Sequence, residues 1–182
     1  RQAFLLELGQ ALPGMDEPEA IEAYALRRLG EELGASRVFF GEDLGDGQHL
    51  RVARDWVDGV TSLTGEQNYQ AFAARLHERL ASGMRVQSDF PAGTSADLCA
   101  SLHVPVLQAS GLEAMLTVQF HTPHVFVEDE CLLVEETAKQ VWKAITHARA
   151  ERALRASAAH LEATFAELMA LIESLEERVA SM

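Results

Sequence analysis

Apolar residues recur along this chain at two different periods, and the changes of period mark its elements. In "RQAFLLELGQAL", Phe4, Leu5, Leu8, Ala11 and Leu12 share one helical face, and Pro13 and Gly14 end the helix. A second helical stretch, "DEPEAIEAYALRRLGEELGAS", carries a stripe of Ile21, Ala25, Leu29 and Leu33. Its expected N-cap is Asp16, with Pro18 in the first turn and Gly34 as the stop. The period then falls to two. "RVFFGED" and "DGQHLRVARDWV" read as strands joined at Asp46-Gly47, where glycine accepts the positive backbone angle of a tight turn. "NYQAFAARLHERLASG" returns to helical spacing, with Phe72, Leu76 and Leu80 on one side and Gly83 at its end. "MRVQSDFP" is extended, and "SADLCASLHVPVL" and "LEAMLTVQF" alternate well enough to form a second hairpin with one buried face.

From Val127 to Met182 nothing interrupts the helical pattern. Roughly 55 residues at ~1.5 Å each extend ~80 Å, longer than a domain of this size is wide, so the distal part is expected to leave the domain. Leu154, Ala158, Leu161, Phe165, Leu168, Ile172, Leu175, Val179 and Met182 follow one another in alternating four- and three-residue steps, the seam of a coiled coil. Met169 and Leu171 flank it and broaden the stripe, which favours a bundle that takes in the N-terminal helix. A nearer seam through Val134, Ala138, Val141, Ile145 and Ala148 is out of register with it, since Ala148 to Leu154 is six residues. That phase change suits a helix that packs on its domain before meeting a partner. Charges beside the distal seam are too sparse to set strand orientation. Residues 1–150 are therefore expected to form one domain and 151–182 a coiled-coil extension.

Composition narrows the function. With 28 acidic and 15 basic residues the formal charge is −13, which repels phosphate backbones and anionic lipid, so neither nucleic acid nor direct membrane contact is expected. No apolar run reaches the ~18 residues a membrane span needs. The two cysteines, Cys99 and Cys131, lack CxxC spacing and fit a reducing, cytoplasmic setting.

The order of elements, carried by "LGEELGASRVFFGE", "VARDWVDGVTSL" and "LHVPVLQASGLEAMLTVQFHTPHVFVEDECLLVEETAKQVWKAITHARAERALRAS", resembles a GAF domain of bacterial sensor histidine kinases and related two-component signalling proteins. The resemblance implies an α+β fold: a central antiparallel sheet of five or six strands with helices on one side, a pocket on the other, and a long C-terminal signalling helix. It also implies a non-catalytic sensor or relay that forms a homodimer through its N- and C-terminal helices. The output would be a kinase, PAS or cyclase module downstream in the same parent chain.

Pocket candidates are Phe39, Arg54, Trp56, His103, Met115, Thr117 and Gln119; periodicity shows that those on strands alternate without showing which face is the pocket. Arg54, Asp55 and Trp56 read first as an ion pair beside a packed tryptophan, and second as a pocket rim in which Trp56 stacks on a planar ligand. His103 reads as a hydrogen-bonded sheet histidine, with ligand or haem-iron binding as the alternative. Bilin binding is disfavoured because Cys99 lies on the strand leading to Val104-Pro105 and the Phe90–Asp97 connection is too short for a bilin-cradling helix. No glycine-rich phosphate loop suggests a cyclic nucleotide, and no thiol pair suggests a methionine sulfoxide reductase. His121 and His124 in "HTPH" make a weak metal signal, so neither metal nor cofactor is expected and the small-molecule ligand stays unidentified. The competing reading is a structural dimerisation spacer whose pocket is filled by its own side chains.

Overall fold

The computed structural model describes residues 1–89 and 98–182. The chain divides into two compact units, Arg1–Ile145 and Thr146–Met182. In order, the elements are α1 (Gln2–Ala11), a 3-10 turn (Leu12–Gly14), α2 (Pro18–Leu33), β1 (Arg37–Asp43), β2 (His49–Val52), β3 (Asp55–Val57) and β4 (Gly65–Asn68). A second 3-10 turn (Tyr69–Ala71) precedes α3 (Leu76–Ala81), β5 (Val86–Asp89), β6 (Ala100–Gln108), β7 (Gly111–Phe120) and α4 (Glu128–Ala180). The sheet runs β4-β2-β1-β7-β6-β5, with β3 also on β1, and every pairing is antiparallel. This is the expected α+β architecture with its long terminal helix, although the sheet has seven strands.

Three local expectations need correction. Glu17, not Asp16, is the N-cap of α2, and its side chain makes no capping bond. Pro18 decides this, because a proline ring pushes the residue before it out of the helical region; Glu17 sits at φ −94°, ψ 118°. The expected helix over 68–83 is split: Asn68 accepts from the Gln70 N–H to start the 3-10 turn, and Arg75, at φ 55°, breaks the chain before α3. The split lets both Tyr69 and Phe72 enter the core. Finally, "DGQHLRVARDWV" is two strands, with Ala53 and Arg54 outside the ladder, and β4 went unrecognised because "GEQN" has no apolar alternation.

The register decides which residues share a face. Across the central strands Phe39 faces Thr117, which faces His103, and Arg37 faces Gln119, which faces Ser101. Between them point Val38, Phe40, Leu102, Val104, Leu116 and Val118, on the opposite face. That opposite face is covered by helices. The indole of Trp142 in α4 lies against Phe40, with ring centroids 5.5 Å apart, and donates to Glu113 at 2.8 Å. Arg28 of α2 forks onto Glu7 of α1 at 3.0 and 3.1 Å, and Arg1 reaches Asp129 at the start of α4. Val134, Ala138, Val141 and Ile145, the nearer seam of α4, are all buried.

The second unit is the remainder of α4. From Glu151 to Met182 every residue is exposed, including the whole distal seam.

Candidate functional site

The site lies on the face of the sheet that α3 covers. Phe39, Leu50, Val52, Tyr69, Phe72, Leu76, Leu80, Val86 and Met115 form one continuous apolar cluster there. Phe39 and Phe72 meet at 5.7 Å between centroids, and Phe72 meets the His103 ring edge-on at 5.9 Å. This half of the face is therefore filled by side chains of the chain itself.

Set into the cluster is a buried polar row. His103 is fully buried; Ser101 Oγ lies 3.1 Å from its Nε2 and Thr117 Oγ1 lies 2.9 Å from its Nδ1. Burial alone pushes its pKa down to about 3, because the imidazolium would lose its hydration without gaining a countercharge. Both ring nitrogens of the neutral imidazole are engaged in this geometry, one by Ser101 and one by Thr117.

Beyond His103 the row ends in Arg37, Gln119 and Asp55. Arg37 donates from Nη1 to Gln119 Oε1 at 2.8 Å and from Nε to the Thr61 carbonyl at 3.1 Å, and its Nη2 reaches the same carbonyl. Asp55 lies 3.9 Å from the guanidinium and accepts from Ser62 Oγ at 2.7 Å and from the Leu63 N–H at 2.5 Å. Gln119 is fully buried, and its Nε2 has no hydrogen-bond partner. Because Arg37 holds the carbonyl end of that amide, the NH2 end is the one left without a partner.

The seven pocket candidates divide between the two faces. Phe39, His103, Met115, Thr117 and Gln119 come together on the α3 side, all buried. Trp56 points the other way, in line with Val38, and its ring covers Gly30 of α2, while Arg54 pairs with Glu22 of α2 at 3.0 Å. Placing these two at a pocket rim is corrected: they join the sheet to the helical layer. The strand alternation is the reason, since Asp55 is the member of that trio in phase with Phe39. Arg37 and Ser101 were missed, although a period-two reading from Phe39 and His103 reaches both.

The remaining chemistry-bearing groups are engaged locally. His121 caps back onto Ser36, and Cys99 Sγ donates to the His121 carbonyl at 3.1 Å. His124 stacks on Phe120 at 3.8 Å and bonds Glu130 at 3.0 Å. Cys131 is buried, which pushes its thiol pKa up, and Gln87 lies 3.4 Å away. Among the described residues no group of three His, Cys, Asp or Glu side chains could hold a metal ion, and no helix is long and apolar enough to cross a membrane. The Phe90–Asp97 connection, on which the bilin argument partly turned, lies outside the described residues.

A sheet with three helices behind it and a pocket face under a short helix is the fold of a GAF domain. No protein-family model matches the sequence, and no curated protein matches it either. Solved structures do. The phycoerythrobilin-bound GAF domain from a cyanobacterial phytochrome superposes with a TM-score of 0.65 at 17% identity, over 82% of this chain and 96% of that one. The GAF domain of a phosphoenolpyruvate-protein phosphotransferase from Coxiella burnetii gives 0.66 at 17%, over 84% and 96%. The free methionine-R-sulfoxide reductase of Neisseria meningitidis, in complex with its substrate, gives 0.66 at 19%, over 81% and 89%.

Proposed function

We propose that this chain is a non-catalytic sensory or relay domain, of the kind found in signal-transduction proteins, that forms a homodimer through its terminal helices and passes its state to a downstream output module. The observation that carries this reading is α4. It is one unbroken helix from Glu128 to Ala180, buried through Val134, Ala138, Val141 and Ile145 and exposing an apolar heptad seam further on. A helix so divided has one part to register the state of the domain and another to hand it to a partner. The GAF folds of a cyanobacterial phytochrome and of a phosphotransferase support the sensory class. A ligand would meet the chain at Arg37, Ser101 and Gln119, where the one buried amide donor without a partner among these groups waits for an acceptor. Any signal then depends on the ligand's differential affinity for two states of the domain.

A second reading, a structural spacer with no ligand, is favoured by the filled half of the pocket face, from Phe39 and Phe72 to Leu80. Native mass spectrometry of the purified protein, with an absorbance spectrum on the same sample, separates them. A dimer with a reproducible extra mass or visible band identifies a ligand sensor. A dimer at twice the apoprotein mass favours a ligand-free relay or spacer, and a monomer refutes both.

A further inference from the structure

The geometry points to a second ligand site in this chain, where the β1–β2 turn, the end of β4 and the start of α3 meet. It takes a small uncharged ring bearing several hydroxyls, a monosaccharide or a cyclic polyol. The site is separate from the Arg37–Gln119 row: β1 runs from Arg37 to Asp43, so about 20 Å of strand lies between them. It is also independent of α4 and of any pairing between copies.

A cavity of about 200 Å³ opens at this corner. Pockets for drug-sized ligands run to ~300–1,000 Å³, so this one admits a molecule of a single ring. Its inner wall is fixed. The buried Tyr69 phenol donates to Asp43 Oδ2 at 2.8 Å, and His77 Nε2 lies 3.3 Å from the same oxygen. The two rings meet edge to face, with centroids 5.1 Å apart. The turn above them is fixed as well. Asp46 accepts from the N–H groups of Gln48 and His49 at 2.9 and 2.8 Å, and a Cβ on Gly47 would lie 3.8 Å from His77 Cε1.

The rim carries polar groups with nothing to hold. The side-chain amides of Gln48 and Gln70 line the cavity, and neither makes a hydrogen bond among the described residues. Asn68 accepts the Gln70 N–H with its oxygen, which leaves its NH2 group available. Arg75 completes the rim at φ 55°, and it is the one non-glycine residue with positive φ among those described. Strain of this kind persists where the surrounding structure imposes it, and it collects at ligand clamps.

The balance of these groups selects the ligand. Arg75 already forks onto Glu78, with Nε to Oε2 at 2.8 Å, so an ionised ligand would have to break that pair. Asp43 and Asp46 nearby oppose an anion. A nucleobase needs a flat slot, whereas Tyr69 and His77 meet at 72° and offer no parallel walls. The open groups are amides, each both donor and acceptor, and they match vicinal hydroxyls, which donate and accept at every carbon. Leu76 adds an apolar surface for the C–H face of the ring.

The test is a titration of the whole chain with methyl α-glucopyranoside, methyl β-galactopyranoside and myo-inositol, followed by proton–nitrogen correlation NMR. At least one probe is expected to give saturable shifts at Gln48, Gln70 and His77. The expected Kd is about 1 mM, the affinity that about a dozen heavy atoms reach at ordinary ligand efficiency. Gln48→Ala and Gln70→Ala, both at exposed positions, should each weaken that probe by about fivefold or more. Arg75→Gly suits the backbone angle, so it should hold or raise the melting temperature while weakening the probe by a similar factor. No saturable shift with any of the three probes overturns the site. Shifts centred on Leu63 and Gln119 instead put the ligand in the Arg37 row and overturn it equally. Saturation by glycine or sulfate while all three probes stay silent overturns the ligand class. Unchanged affinity in the three variants removes the named groups from the contact, and the assignment with them.

Discussion

His103 makes the stability of the domain depend on pH in a way that can be isolated. In the folded protein its pKa is pushed down to about 3 from the ordinary histidine value of 6.5, by burial. The unfolded chain therefore binds the extra proton first as pH falls. Stability from this group is complete above pH 6.5 and is lost progressively toward pH 3, because a depressed histidine pKa favours the unfolded state on acidification. Between pH 6 and pH 4 the two protonation curves diverge by about 2.5 kcal/mol. Carboxylates titrate in the same range, so the quantity to measure is a difference. Urea unfolding of the wild type and of His103→Gln at fixed protein concentration, monitored by tryptophan fluorescence at pH 6, 5 and 4, supplies it. The amide keeps hydrogen-bonding capacity toward Ser101 and Thr117 but takes up no proton. The wild type should lose about 2.5 kcal/mol more than the variant over that interval. Parallel losses would show that His103 is protonated in the folded state, and would refute the picture of a neutral, doubly bonded imidazole.

Other perturbations probe the frame around the site. Gly30→Ala ought to stabilise α2 by about 1 kcal/mol from helix propensity alone, yet a Cβ there would lie 2.2 Å from Trp56 Cε3. Overpacking of about 1–3 kcal/mol should win, so the melting temperature falls; a rise would show that the indole is not fixed against α2. Tyr69→Phe removes the 2.8 Å bond from the phenol to Asp43 Oδ2. A loss of about 1–2 kcal/mol in urea unfolding is expected, and a neutral result would mean that Asp43 is served equally well by His77 or water. Leu168→Glu buries a charge in the proposed coil, so it should abolish the dimer in light scattering while the thermal transition of a matched monomeric reference is unchanged; a persistent dimer would remove Leu168 from the interface.

The legible parts of this fold were those with long periods and few alternatives. Ile21, Ala25 and Leu29 fixed α2, and the Val104 and Leu116 strands fixed the central hairpin, because a one-residue slip would turn every apolar side chain to the wrong face. What escaped was governed by single residues or by tertiary pairing. Pro18 moved a helix cap by one position, Arg75 broke a helix that the Phe72, Leu76, Leu80 spacing made look continuous, and "GEQN" became a strand only because β2 offered it a ladder. The site was half legible for the same reason. Alternation grouped Met115, Thr117 and Gln119 correctly, whereas Arg54 and Trp56, adjacent to Asp55 in sequence, could be separated from it only by knowing which side the helices cover.

On the reading of α4 proposed above, its distal part joins two domains into one signalling unit. Sedimentation equilibrium of the whole chain beside a version ending at Ala153 tests it most directly. A dimer of twice 20.0 kDa is expected for the whole chain and a folded monomer for the shortened one at low micromolar concentration. A shortened chain that remains fully dimeric, or a whole chain that stays monomeric, would contradict it.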